Sequence, residues 1–183
     1  SWDTPHVTLG VSAWHAGMLR RYYDLPEGMV DYVPNGIDLR RFERPAVRKV
    51  PFRCVYASSP DRGLPRLLRL WEFIATDEPG AGLHIAYGWD NIDRAIAGGR
   101  ADLAQFKADL EAQIAKTPQV VWRGRLPQDQ LAQLYCESYA WLYPTDFLEV
   151  SCISAMEAMA GGCVPVTSAV GALRETIGQG GLV

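Results

Sequence analysis

The sequence predicts an α/β protein built on a parallel sheet with helices on both faces. Three observations carry this expectation. From about residue 52 onward, short apolar runs alternate with helix-length segments, the order that right-handed strand–helix–strand units produce. The apolar runs are continuous rather than alternating, as in strands covered on both faces. A charged stretch over 38–50, carrying Pro45 and followed by Pro51, sets an earlier strand and helix apart from this series, as a linker between domains would.

The first run, His6 to Ser12, reads as a strand. Ser12 is a candidate N-cap for a helix through about Tyr23. Val30 to Val33 reads as a short strand closed by the Pro34-Asn35-Gly36 turn signal. The later series runs strand Arg53–Ser58, helix Leu64–Ala75, strand Leu83–Tyr87, and a helical stretch Ile92–Lys116 that Gly98-Gly99 can split. It continues with strand Val120–Trp122, helix Asp129–Ser138, strand Ala140–Tyr143, helix Ser154–Ala160, strand Val164–Thr167 and helix Ala172–Ile177. The final Gly180-Gly181-Leu182-Val183 reads as the start of another strand. With no Met at Ser1, sequence is expected to continue on both sides.

Composition narrows the function. The 183 residues are 48% apolar and 21% charged, which fits a packed core and not a disordered chain. A formal net charge of −3 argues against nucleic acid as a partner. Cys54, Cys136, Cys152 and Cys163 have no C-x-x-C spacing, and His6, His15 and His84 do not cluster with them, so no metal site is expected. Four thiols without a framework fit a reducing, cytoplasmic setting, whether free or at a membrane periphery. No apolar run approaches the ~20 residues of a membrane span, and no signal peptide is visible.

In a parallel sheet ligands bind outside the carboxyl ends of the strands, so the loops near 58–63, 87–91, 123–127, 144–154 and 168–172 hold the candidate site. The richest is Glu149-Val150-Ser151-Cys152-Ile153-Ser154-Ala155-Met156-Glu157. Backbone N–H groups at a helix N-terminus attract phosphate. Ser151 and Ser154 add hydroxyls, and a carboxylate one turn into the helix can accept two hydroxyls of a ribose. A plainer reading stands beside this one: Ser154-x-x-Glu157 is also a capping box, with Gly161-Gly162 ending the helix. Arg62 precedes a helix start, where a cation is disfavoured by ~0.3–1 kcal/mol, so its presence points to a ligand anion. Trp89 and Asp90 either line the cleft or pack. His84, within a strand, reads as buried and structural.

The pair Glu149 and Glu157, seven residues between them, followed by Ala158-Met159-Ala160-Gly161-Gly162-Cys163-Val164-Pro165-Val166, resembles the E-x7-E signature of retaining GT-B glycosyltransferases, glycosyltransferase family 4 in particular. Other blocks resemble the family in the same order: Val33-Pro34-Asn35-Gly36-Ile37-Asp38, Arg62-Gly63, Val120-Val121-Trp122-Arg123-Gly124 with Leu131 and Leu134-Tyr135, and Gly171-Ala172-Leu173-Arg174-Glu175.

The resemblance implies a GT-B fold of two Rossmann-like domains. Residues 1–44 would be the remnant of the N-terminal acceptor domain, 45–51 a linker, and 52–183 the C-terminal donor domain, truncated at its end. It implies a retaining transfer of a sugar from a nucleoside diphosphate to a saccharide, lipid or protein acceptor, without metal or cofactor. The fragment alone would be inactive. Glu149 would contact the donor sugar and Arg62 the diphosphate, together forming the candidate catalytic pair. Glu157 would hold the ribose, and the backbone from Val150 through Ser151, Cys152 and Ile153 to Ser154 would cradle the diphosphate. Arg123, Gly124 and Arg125 would border the base.

Two positions depart from the family pattern. Its G-F-G is here Val150-Ser151-Cys152, and the Arg that the family places shortly before its Lys, the position held here by Arg62, has no counterpart around Tyr56-Ala57-Ser58. Two rival readings stay open: a nucleotide-sugar epimerase of the same fold, and a nucleotide-binding or interaction module without turnover.

Overall fold

A computed structural model describes residues 7–43 and 47–183. His6, the ends of the 1–44 segment and Pro45 therefore lie outside the described residues. Five parallel strands form the main sheet: β3 (Arg53–Tyr56), β4 (Gly82–Ile85), β5 (Val120–Trp122), β6 (Ala140–Tyr143) and β7 (Val164–Thr167), in the order β5-β4-β3-β6-β7. β1 (Thr8–Gly10) and β2 (Val30–Tyr32) pair in parallel as a separate two-stranded sheet, with α1 (Ala13–Tyr22) between them in sequence.

The connections fix the layers. The path from β3 through α2 (Leu64–Asp77) to β4, then through α3 (Asp90–Ala97) and α4 (Asp102–Lys116) to β5, steps across the sheet in one direction. The path then turns back. From β5 it runs through α5 (Gln128–Glu137) to β6, and through α6 (Ile153–Ala160) to β7, followed by α7 (Leu173–Ile177). Right-handed crossovers put the first group of helices on one face and the second on the other. The direction reverses between β3 and β6, and at such a point the loops leaving neighbouring strands diverge and open a crevice.

Burial follows the sequence pattern. α2 is amphipathic and sinks Leu64, Leu67, Leu68, Trp71 and Ala75, while α5 contributes Ala132, Leu134 and Tyr135 from the opposite face. Trp71 is fully buried, and its indole N–H donates to the Pro118 carbonyl at 3.0 Å. The helix expected over 92–116 is two helices, divided at Gly98-Gly99. The charged stretch before β3 is better anchored than a free linker. Val50 N–H donates to Glu137 O at 2.8 Å. Lys49 Nζ donates to the carbonyls of Cys136, Ser138 and Gly161, which places a cation at the negative ends of α5 and α6. Beyond β7, Leu182 forms a parallel bridge with Val166, which fits the strand start read there.

Candidate functional site

At the β3/β6 crevice the structure opens a cleft of about 320 Å³. Its walls are Ala57, Ser58, Ser59 and Arg62 after β3, Ala86 and Tyr87 after β4, Leu131 and Tyr135 on α5, and Glu149, Ser151, Cys152, Ile153, Ser154 and Glu157 around the start of α6. Seven of the expected site residues thus share one cavity: Arg62, Glu149, Ser151, Cys152, Ile153, Ser154 and Glu157.

The loop joining β6 to α6 is held from three sides. Tyr143, the last residue of β6, donates its hydroxyl to Glu149 Oε1 at 2.6 Å, and Arg62 Nη1 approaches the same oxygen at 3.4 Å. The Arg62 guanidinium lies 3.8 Å above the Phe147 ring. From below, Ala172 N–H donates to Glu149 O at 2.7 Å. Gly171, at φ +60°, makes this approach possible, because a Cβ there would lie 2.3 Å from that carbonyl oxygen. Glu149 is consequently almost wholly buried, 7% exposed.

The plainer reading, in which Ser154 caps the helix and Glu157 closes a capping box, does not hold. α6 begins at Ile153 with Cys152 as its N-cap, and no side chain caps it. Ser154 is the second residue inside the helix, and its hydroxyl sits 3.4 Å from the Cys152 thiol. Glu157 is therefore in the second turn, too far along for a capping box. Burial raises the Glu157 pKa above the usual carboxylate value, and Arg41 opposes this in part. The open N-terminus of α6 presents its N–H dipoles to the cleft. The Ser151 hydroxyl is buried there and has no hydrogen-bond partner among the described residues. Burial also raises the Cys152 thiol pKa, which disfavours the thiolate a nucleophile would need.

Residues 86–183, more than half of the chain, match the family of glycosyl transferases group 1. The chain belongs to that family. Its fold agrees with solved GT-B structures of low sequence identity. The pneumococcal O-GlcNAc transferase GtfA, in complex with UDP and GlcNAc, aligns at TM-score 0.68 and 18% identity, over 97% of this chain and 34% of its own. HepE from Anabaena, in complex with UDP and glucose, aligns at 0.68 and 16%, over 93% and 46%. Sucrose-phosphate synthase from Thermosynechococcus elongatus aligns at 0.66 and 21%, over 92% and 42%. The chain thus spans between a third and a half of these proteins. A comparison with curated protein sequences finds no match.

Within this group 1 glycosyltransferase domain, some expected residues stand apart from the cleft. Val150 is tied by its carbonyl, which accepts from Ser12 Oγ at 2.7 Å. Trp89 stacks on Trp122 with ring centroids 5.0 Å apart and packs against the core, outside the cleft walls. Arg123 turns to His84, donating from Nε to Nδ1 at 3.1 Å, and lines a different hollow with Gln130 and Glu137. His84 is buried, and burial, with Arg53 and Arg123 nearby, lowers its pKa to about 4. Arg125 lies in an adjoining hollow with Tyr87, Gly88, Asp90, Asn91 and Arg94, 3.6 Å from the Asp90 carboxylate. Gly124, at φ +63°, makes the turn between these two diverging arginines.

Three residues to which the sequence assigns no site role make contacts at or beside the cleft. Tyr135 reads as part of the Leu134-Tyr135 block and Tyr143 as the end of a strand; α5 places Tyr135 in the cleft wall, and Tyr143 reaches the site through its hydrogen bond to Glu149. Glu175 was seen as part of a motif, yet its carboxylate accepts from Ala13 N–H and Trp14 N–H, each at 2.9 Å, at the start of α1. Among the described residues no helix is long and apolar enough to cross a membrane, and no group of three His, Cys, Asp or Glu is placed to hold a metal.

Proposed function

We propose that the cleft binds a nucleoside diphosphate sugar and that the chain is the donor-binding part of a retaining glycosyltransferase. The observation that carries this reading is the convergence, in one cleft, of a cation, an uncapped helix N-terminus, an unpartnered buried hydroxyl and two carboxylates. The diphosphate lies between Arg62 and the backbone of Ser151 to Ser154, Glu157 accepts the ribose hydroxyls, and Glu149 faces the sugar. Arg62 is now neutralised by Glu149. A diphosphate would take over that guanidinium and leave the second lone pair of Glu149 Oε1 for a sugar hydroxyl, Tyr143 keeping its bond to the same oxygen. Charge developing on the departing phosphate is then met by Arg62 and the α6 dipole, which act without a covalent step. Arg125, in the adjoining hollow, is the member of the 123–125 loop best placed to border the base. Residues 1–44 form the near edge of an acceptor domain, 45–51 the connection, and 52–183 the donor domain.

Titration calorimetry with UDP, GDP and ADP, each beside its nucleoside, tests the reading. Arg62→Ala is expected to weaken the diphosphate by about tenfold or more and leave the nucleoside nearly unchanged, with a loss that shrinks as salt rises. Equal losses for nucleoside and diphosphate would remove Arg62 from the phosphate site.

A further inference from the structure

We propose that Tyr135 is a further ligand-binding residue of this cleft, its hydroxyl donating to a ribose oxygen held by Glu157. The inference rests on the donor-binding reading above. Tyr135 is fully buried on α5, and it lines the cleft together with Glu157. Its position is fixed by close packing of α5 on α6: a Cβ on Gly161 would lie 2.6 Å from Tyr135 Cβ. The ring, with no exposed surface, is confined by the packing around it.

Three fully buried tyrosines surround the site, and two have satisfied hydroxyls. Tyr56 donates to Ser59 O at 2.8 Å, and Tyr143 donates to Glu149 at 2.6 Å. The Tyr135 hydroxyl has no partner. Among the described residues the other buried side-chain atoms without a partner are Ser151 Oγ and Trp141 Nε1, so two of the three orphans line this one cleft. A buried hydroxyl without a partner lowers stability. Two gathered in one cavity mark where a polar ligand completes the network. Burial, and next the nearby Glu157 carboxylate, hold the Tyr135 pKa far above its ordinary value, so the group stays an O–H donor. Glu157 supplies only acceptors once ionised. A vicinal diol needs both, with its O–H groups accepted by Glu157 and a lone pair satisfied by Tyr135.

The test is Tyr135→Phe, which keeps the ring and removes only the hydroxyl. Ligand-free Tm should hold or rise, because an unsatisfied group is lost. Affinity for whichever of UDP, GDP or ADP the wild-type chain binds should fall by about tenfold, and affinity for the matching nucleoside should fall by the same factor. Ser151→Ala should likewise leave ligand-free Tm unchanged or higher and weaken the nucleotide. A Tyr135→Phe chain that melts lower and binds equally well overturns the inference, since the hydroxyl would then serve the fold. Equal affinity at any Tm overturns it while the donor-binding reading stands. A wild-type chain that binds none of the three nucleotides overturns both.

Discussion

At the scale of single residues, the charges in the cleft are arranged against one another before any ligand arrives. Arg62 stands just ahead of α2, where the helix dipole disfavours a cation, and Glu149 offsets that cost across the crevice. The sequence marks both residues as polar and out of place but says nothing of their pairing, because the partners lie 87 positions apart. In the sequence Glu157 reads both as a candidate ribose ligand and as a capping-box partner, and the start of α6 at Ile153 removes the second of these. This difference has a measurable consequence. With no cap to lose, and with burial already favouring its neutral form, Glu157→Gln should leave Tm nearly unchanged. Nucleoside diphosphate binding should weaken by ~1.5–3 kcal/mol, the range for a hydrogen bond to a charged group. A melting point several degrees lower with unchanged affinity would return Glu157 to a structural role. Trp89 and Arg123 stand apart from the cleft walls for a common reason. Both follow strand ends on the correct edge, but side-chain direction is set by neighbours, Trp122 for one and His84 for the other, which local pattern does not contain.

At the scale of elements, the strands and helices were readable because period and punctuation agree. β6 and β7 fall where their apolar runs lie, and α3 ends at the glycine pair. What the pattern did not contain is how the loops are clamped together. Gly63, at φ +115°, lets the turn before α2 pass the β6 loop so closely that a Cβ would meet Pro144 O at 2.3 Å. Gly171 does the same service for Glu149. Both glycines combine a left-handed backbone with a contact that no side chain can share. Gly63→Ala is therefore expected to destabilise the chain by more than the ~1 kcal/mol of a simple helix-end glycine. It should also loosen the proposed nucleotide site, since the crevice must widen to admit the methyl group. Denaturant unfolding and nucleotide titration on the same sample check this. A variant as stable as wild type and equally tight would mean the two loops are not mutually constrained.

At the scale of the whole molecule, the smaller sheet and its helix are fastened to the larger one at the loop between β6 and α6 and at Glu175. Ser12 caps α1 by accepting from His15 N–H and at the same time donates to Val150 O. Glu175, just behind the Gly171 turn, closes the first two N–H groups of α1 with both carboxylate oxygens. One helix end is thus shared between the two units, and the residues on the far side of the bond belong to the loop that carries Glu149. A carboxylate at this position stabilises a helix N-terminus by charge as well as by hydrogen bonding. Glu175→Ala should therefore free α1 without unfolding the main sheet, at a cost of ~0.5–2 kcal/mol for the lost cap. Hydrogen exchange should accelerate at Ala13 to Tyr22 and in the Val150–Cys152 loop, while amides of β3, β4 and β6 keep their protection. If α1 exchanges no faster in the variant, the clasp holds nothing. If exchange rises across the main sheet as well, the two units fold as a single cooperative body and Glu175 serves its global stability.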